Sequence, residues 1–400
     1  MAKVTLFAQI IAKLPKEIIK KVIRQHKTDK HAKGYNTMSQ LISMIFCQFS
    51  NSESVRDISY GLKSATGNLN HLGIPRAPSK SNISYQNAHR TSEVFKDIYY
   101  TLFNYFGQQR LNQHRKFKFK QPIKLLDSSM MTLTLSLYDW AHYTSIKGAV
   151  KMHTLLDHDN LLPEFVCITD GKKTDAKGSF DIPVAANSIV VEDRGYCGFE
   201  LLNHWDSNRV FFVVRHKEIL KTKQIEERDL PQKKHQDILL DEIIELERAD
   251  TYAKYPKRLR RVVVWNEEHQ YKIELLTNNF DIAASSIAAL YKERWQIEIF
   301  FRHIKQNLRI KSFIGTTQNA VEIQIWTALI TILLLCWLKS CAQYKWALSN
   351  LVASLRLNTF TKIDLEKWLN EPLPHHQKKK SWWEGDCTMA YLIKRKHSER

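Results

Sequence analysis

The stretch Tyr291-Lys292-Glu293-Arg294-Trp295-Gln296-Ile297-Glu298, with Lys305 seven residues further on, decides how this chain is read. At 3.6 residues per turn, positions 291, 294, 298 and 305 fall within roughly 60° of one another around a helix. Ile297, Phe300, Phe301, Ile304 and Leu308 occupy a separate face. One side of the expected helix is therefore apolar. The side next to it carries a phenol, a guanidinium, a carboxylate and an ammonium in a row. That arrangement suits a carboxylate that holds a metal beside a polyanion.

Two aspartates further upstream extend the pattern. The apolar run Ile123 to Leu126 ends at Asp127, and Ser188 to Glu192 runs into Asp193. Both read as strands that deliver an aspartate to the end of a sheet. With Glu298 they make an all-oxygen set for hard divalent cations, of which Mg²⁺ prefers a few carboxylates and keeps waters for phosphate oxygens to replace. Two such ions about 4 Å apart activate an attacking water and stabilise a leaving 3′ oxygen. Carboxylates packed together repel one another unless cations neutralise them. Taken singly, each has an ordinary reading: a turn aspartate at 127, an ion pair of Asp193 with Arg194, and an i,i+4 pair of Glu298 with Arg294 or Arg302. Taken together on a basic background, they favour a metal site.

That background is strong. Sixty Lys plus Arg against 41 Asp plus Glu give a net charge of +19, which favours a polyanionic partner, nucleic acid first. Four hundred residues with 44% hydrophobic content suggest two or three domains with sizeable cores. The cysteines at 47, 167, 197, 336, 341 and 387 form no C-x-x-C pair, so neither a zinc site nor a disulfide framework is expected. Reduced thiols and the lack of a signal-peptide pattern point to the cytoplasm. The most apolar run, Ile325 to Leu338, is shorter than the ~20 residues of a membrane span and reads as a buried core helix.

The organisation expected is α/β, with three parts. Residues 1–112 read as helical. Pro15 opens a second helix, and Ser54 supplies N-cap chemistry. Gly73 to Pro78 is a turn before a helix capped by Ser79 or Ser81 and carrying Asn82, Tyr85, Gln86, His89 and Arg90. This resembles a helix-turn-helix as much as a plain helical bundle. A basic hinge, Arg115 to Lys120, leads into the strand-rich block 120–345, with strands expected at Met131 to Leu137, Val150 to Leu156, Pro163 to Thr169 and Val210 to Val214. A β-rich insertion, 216–278, interrupts that block. It holds a hairpin (Arg261 to Trp265, Tyr271 to Thr277). Its basic run Lys254, Lys257, Arg258, Arg260, Arg261 is dense enough for phosphate contacts. Residues 346–400 read as helix and then a basic tail.

At these residues the chain resembles the DDE transposases of bacterial insertion sequences, in the Insertion Sequence Four branch. That branch carries a Tyr-x2-Arg-x3-Glu-x6-Lys signature, which stands here as Tyr291, Arg294, Glu298 and Lys305. Asp193-Arg194-Gly195-Tyr196 matches the branch's second aspartate, Leu125-Leu126-Asp127-Ser128-Ser129 its first, and Lys147 to His153 an intervening strand. The resemblance implies a ribonuclease H-like fold, with Asp127, Asp193 and Glu298 as catalytic and metal-binding triad for Mg²⁺ (Mn²⁺ substituting). Tyr291, Arg294 and Lys305 would grip phosphates. It implies cutting and joining of double-stranded DNA, at terminal inverted repeats and at a target, through hairpin ends and by a homodimer associated with the bacterial nucleoid. It also implies a base-stacking tryptophan in the insertion, for which Trp265 stands as candidate beside an ordinary strand role. Arg194 and Tyr196 contact DNA or fix a turn. His153 reads as a hydrogen-bonded strand residue, Lys147 and Lys151 as phosphate or solvent contacts, and Trp295 as packing or as a second candidate for the stacking tryptophan. Two other activities keep the same residues: a ribonuclease H-like nuclease without strand transfer, and a non-catalytic DNA-binding repressor.

Overall fold

The computed structural model describes residues 3–65, 68–108, 116–133, 138, 140–141, 148–171, 179–216, 220–230, 237–310 and 312–372. Arg115, Lys147, the end of the strand expected over 131–137 and the basic tail beyond 372 lie outside them. Nine strands form one mixed sheet: β1 (Ile123–Leu133), β2 (Gly148–Asp157), β3 (Pro163–Asp170), β4 (Ile189–Glu192), β5 (Phe211–His216), β6 (Thr222–Glu227), β7 (Ile238–Leu246), β8 (Leu259–Asn266) and β9 (Tyr271–Thr277), in the order β3-β2-β1-β4-β5-β9-β8-β7-β6. β3, β2 and β1 are antiparallel neighbours, whereas β1, β4 and β5 run parallel. The segment 216–278 does not break this sheet. β9 pairs with β5, so the insertion's strands extend the same surface outward.

Alternation along the parallel strands sorts their side chains between two cores. Leu125, Val191 and Val213 enter the larger cluster, and Leu126, Val190, Phe212 and Val214 the smaller one on the opposite face. The smaller face is covered by α8 (Phe199–Ser207), through Leu201, Leu202 and Trp205.

Seven helices precede the sheet: α1 (Leu6–Ala12), α2 (Lys16–His26), α3 (Thr37–Ser50), α4 (Val55–Ser64), α5 (Leu69–Leu72), α6 (Lys80–His89) and α7 (Glu93–Gln108). Their starts follow local chemistry. Pro15 precedes α2, and Ser54 and Asp57 close a capping box on α4. Ser79 Oγ accepts from the Asn82 N–H at the start of α6. After α9 (Ala249–Lys254) come α10 (Ala284–Glu293), α11 (Trp295–Asn307), α12 (Gln318–Cys341), α13 (Leu348–Asn358) and α14 (Leu365–Asn370). α12 is long and apolar enough to cross a membrane by length and composition, yet 83% of its apolar window is buried within the protein. It is the axle of the helical side: residues of α1–α4, α6 and α7 share one buried cluster with α12, α13 and α14. Polar groups lock that packing. Asn319 Nδ2 donates to the Asn87 and Arg90 carbonyls at 2.9 and 2.7 Å, and Gln324 Nε2 to those of Arg309 and Ser312 at 2.6 and 2.9 Å.

Candidate active site

Asp127 and Asp193 meet because the sheet's register brings them together. The parallel pairing of β1 with β4 ends at Leu126 opposite Glu192, so the next residues on the two strands are the two aspartates. Neighbouring strands lie about 4.8 Å apart, and alternation turns both carboxylates to the face of Leu125 and Val191. Asp127 is not at a strand end, as its sequence context suggested. β1 continues to Leu133, held by its antiparallel pairing with β2. Only the parallel ladder stops there.

The third carboxylate arrives from α11. The helix expected across 291–305 is two helices that meet at Arg294. There the Ile297 N–H bonds back to the Arg294 carbonyl at 3.2 Å, a tightened i→i+3 turn. Arg294 Nη2 lies 2.6 Å from Glu298 Oε1, and Nη1 lies 3.7 Å from Asp127 Oδ2. Tyr291 Oη donates to Asp193 Oδ1 at 3.3 Å, and Lys305 Nζ donates to the Met130 carbonyl of β1 at 2.9 Å. Glu298 and Lys305 of the Tyr-Arg-Glu-Lys pattern line one groove, Arg294 pairs with Glu298 behind it, and Tyr291 lines a separate cavity. Asp127, Ser128, Ser129, Glu298, Arg302 and Lys305 border an open cavity of about 470 Å³ there.

The carboxylates converge on Arg294 and not on one another. Among the described residues no three His, Cys, Asp or Glu side chains are close enough to hold an ion, which corrects the expectation of a closed acidic cage. The electrostatics record the crowding. Burial, with the charges of Asp193 and Glu298 adding to it, pushes the Asp127 carboxyl up to about 7, against the Ser128 N–H and Arg294. Burial and then Asp193 push the Tyr291 phenol up to about 12. Burial alone would lower Arg294, but attraction to Asp193, Tyr291 and Glu298 holds it above its ordinary value. An oxygen-only donor set in which two acids raise a third, Asp127, fits a hard cation, and Arg294 supplies part of that compensation.

Other expected site residues fall differently. Arg194 is exposed, but Tyr196 is 1% exposed and packed into the core under α8, so its ring is not presented to a duplex. Trp265 is half-buried on β8. With Tyr291, Lys292, Glu267 and Asn266 it lines a cavity of about 590 Å³ against α10. Trp295 is largely exposed beneath the Arg302 guanidinium, not packed inside. His153 is buried, with Nε2 3.2 Å from Thr169 Oγ1, and Lys151 is buried rather than facing solvent. The basic run of the insertion is already paired. Lys254 meets Glu200, Lys257 Asp206, Arg258 Glu245, Arg260 Asp241 and Arg261 Glu242, the last two pairs held by acids buried in the sheet.

Sequence reading missed the support behind Arg294. Glu293, one residue earlier, takes Lys116 Nζ at 2.5 Å and His158 Nε2 at 3.0 Å, and these contacts hold its carboxyl below its ordinary value despite burial. The buried Arg260–Asp241 pair does similar work. Arg260 Nη1 donates to the Ile282 carbonyl at 2.6 Å, fixing the loop that feeds α10. Glu192 was also missed. It is fully buried, neither of its oxygens has a hydrogen-bond partner among the described residues, and burial drives its carboxyl well above the ordinary range. An acid in an apolar run carries no sequence signal of such pairings.

Comparison with known proteins gives concordant matches. Residues 118–334 match the family described as "Transposase DDE domain", and residues 2–75 match "Domain of unknown function (DUF4372)". A protein of Sinorhizobium fredii named as transposase y4zB is 31% identical over 262 residues, 65% of this chain and 72% of the relative. One of Geobacillus stearothermophilus, named as transposase for insertion sequence element IS5377, is 30% identical over 224 residues, 56% of this chain and 58% of the relative. The piggyBac transposase synaptic complex with hairpin DNA aligns at a TM-score of 0.40 and 11% identity, over 92% of this chain and 81% of that one, a likeness that decides nothing here.

Proposed function

The chain belongs to the transposase DDE-domain family, and on that premise we propose that it cuts and joins the ends of an insertion sequence by Mg²⁺-dependent phosphoryl transfer, Mn²⁺ substituting, with Asp127, Asp193 and Glu298 as its acidic triad. One observation carries the reading. Three carboxylates from β1, β4 and α11 gather around a single guanidinium beside an open groove. So costly a concentration of half-buried acids serves no packing purpose.

The triad would hold the divalent cations, which supply Lewis acidity to the scissile phosphate and an activated water. Lys305, on the groove's wall, and Arg294, paired with Glu298 beside it, orient the phosphodiester; Tyr291 fixes Asp193. Trp265, in its cavity beside Tyr291, stacks a base extruded at a hairpin end. The strand order β3-β2-β1-β4-β5, antiparallel then parallel, supports a ribonuclease H-like core preceded by a helical DNA-binding region (1–112) and followed by a helical tail (346–400), with 216–278 as the insertion. The partners in this reading are terminal inverted repeats, target duplex and a second copy of the chain, in the bacterial cytoplasm.

The test is incubation of the full chain with duplexes carrying the flanking inverted repeats, with Mg²⁺ or EDTA and with or without target plasmid. Joined products that vanish in EDTA support the proposal. Free 3′ ends that never join indicate a nuclease. End binding indifferent to Mg²⁺, with no cleavage at any metal concentration, indicates a repressor.

A further inference from the structure

Five cations of the insertion, Lys254, Lys257, Arg258, Arg260 and Arg261, each face an acid. A basic run with little such compensation lies at residues 13–33. Eight cations (Lys13, Lys16, Lys20, Lys21, Arg24, Lys27, Lys30, Lys33) stand there against two acids (Glu17, Asp29), a local excess of six. On α2, Lys16, Lys20 and Arg24 occupy successive turns of one stripe, while Ile19, Val22 and Ile23 of the adjoining face are buried in the core. Lys27 ends the helix in a left-handed conformation (φ 54), which turns the chain back so that Lys30 stands beside α2. A side chain in that region costs about 1 kcal/mol, so the reversal is held by its surroundings.

Between α2 and this turn lies a cavity of about 580 Å³, lined by Lys20, Arg24, Lys27 and Lys30 over Ile23 and Met38. Its one acid is directed inward. Asp29 Oδ1 accepts from the Thr37 N–H and hydroxyl, each at 2.7 Å, and lies 3.7 Å from the buried Arg90. Arg24, Lys27 and Lys30 have no carboxylate within 4 Å among the described residues. Arg90, the cap of α6, also donates to Gln40 and the Tyr35 carbonyl. The cleft is thereby fastened to α6, whose exposed face carries Asn82 and the stacked pair Tyr85–His89.

We propose that this cleft, within the segment that matches a domain of unknown function, grips the phosphate backbone of duplex DNA and docks α6 against the same duplex. The proposal rests on the reading that the chain acts on DNA. A membrane surface is the weaker fit, because the apolar face of α2 is buried and cannot insert.

The test is the salt dependence of binding to a labelled random-sequence duplex in EDTA, comparing the full chain with the triple variant Arg24→Gln/Lys27→Gln/Lys30→Gln. Three lost phosphate contacts lower the slope of log K against log[salt] by about 2.7, so between 50 and 200 mM salt the parent loses about fortyfold more affinity than the variant. The charge-preserving Arg24→Lys/Lys27→Arg/Lys30→Arg should keep the parent slope, which separates charge from misfolding. A parent-like slope in the neutralised variant overturns the proposal. So does an equal drop in Lys254→Gln/Lys257→Gln/Arg258→Gln, or loss confined to anionic phospholipid vesicles. Cleavage by the parent is scored separately. A neutralised variant that binds like a cleaving parent sinks only the cleft, and a non-cleaving parent whose variant loses slope sinks only the transposase reading.

Discussion

Asp127→Asn is expected to make the metal-free protein more stable, and only above a defined pH. The Asp127 carboxyl is pushed from an ordinary 3.8 to about 7 by burial and by its acidic neighbours. A raised carboxyl means that the folded state keeps a proton the unfolded chain has released. Below about pH 4 both states are protonated and nothing is lost. Between about 4 and 7 the unfolded chain binds fewer protons, so stability falls by about 1.4 kcal/mol per pH unit, and above 7 the penalty is complete. Three units give an upper limit of about 4 kcal/mol, which solvent around the partly exposed side chain reduces to about 2. Folding entropy scales with length at about 2.1 cal/mol/K per residue, so for this chain the gain is about 2–5 °C in melting temperature. Glu192 is raised in the same sense, but it is present in both proteins and cancels in the comparison. The assay is thermal melting of parent and Asp127→Asn in EDTA at pH 5 and pH 8, with Mg²⁺ added in parallel. The variant should gain most at pH 8, and Mg²⁺ should raise only the parent. A gap of equal size at both pH values would refute the electrostatic account of the site.

Asp127→Asn, Asp193→Asn and Glu298→Gln should each abolish strand cleavage and leave end binding within about threefold, measured by gel shift beside a nicking assay; normal turnover in any of them removes that residue from the triad. Arg294→Ala should weaken end complexes and flatten the salt slope by about 0.9. It should also push Asp127 further up, because the guanidinium opposes that shift, so Mg²⁺ titrations followed by calorimetry should need a higher pH; an unchanged slope and pH profile would leave Arg294 a helix-pairing residue. Trp265→Ala should cost about 1–3 kcal/mol in binding hairpin ends with an extruded 2-aminopurine, and nothing on unbroken duplex; an equal loss on both would make it a strand residue. Arg260→Ala should destabilise by about 3–5 kcal/mol in urea melts, since Asp241 and the Asn279 and Ile282 carbonyls lose their donor; under 1 kcal/mol would mean solvent reaches the site.

What was legible in the sequence was whatever depends on period and local chemistry. The apolar face of 291–305 survives the break at Arg294, because Arg294 itself keeps right-handed helical backbone angles (φ −50, ψ −32). Ser54 and Ser79 cap their helices, and the apolar run of α12 is buried, since hydroxyls before a helix and long aliphatic stretches have few alternatives. Charge was legible in amount and not in destination. Lys254, Lys257, Arg258, Arg260 and Arg261 look like a phosphate-binding run, but their acids arrive from α8 and β7, elements that sequence cannot place opposite them. The same holds for Glu293, an unremarkable helical acid until His158 and Lys116 are brought to it from 135 and 177 residues away.

Arg294 shows why the site itself was only half readable. Its sequence position assigns it to phosphate, whereas its geometry gives it to Glu298 and, more weakly, to Asp127. On the function proposed above, these assignments would be consecutive, not contradictory. One guanidinium cannot offer the same N–H groups to a carboxylate and to a phosphodiester. While it pairs with Glu298 it offsets acids that would otherwise repel, and a divalent cation among those acids would take over that role and release the guanidinium toward the groove where Lys305 stands. The spacing of a motif reports which side chains share a face, and the charge balance of the fold decides which partner each one holds at a given step.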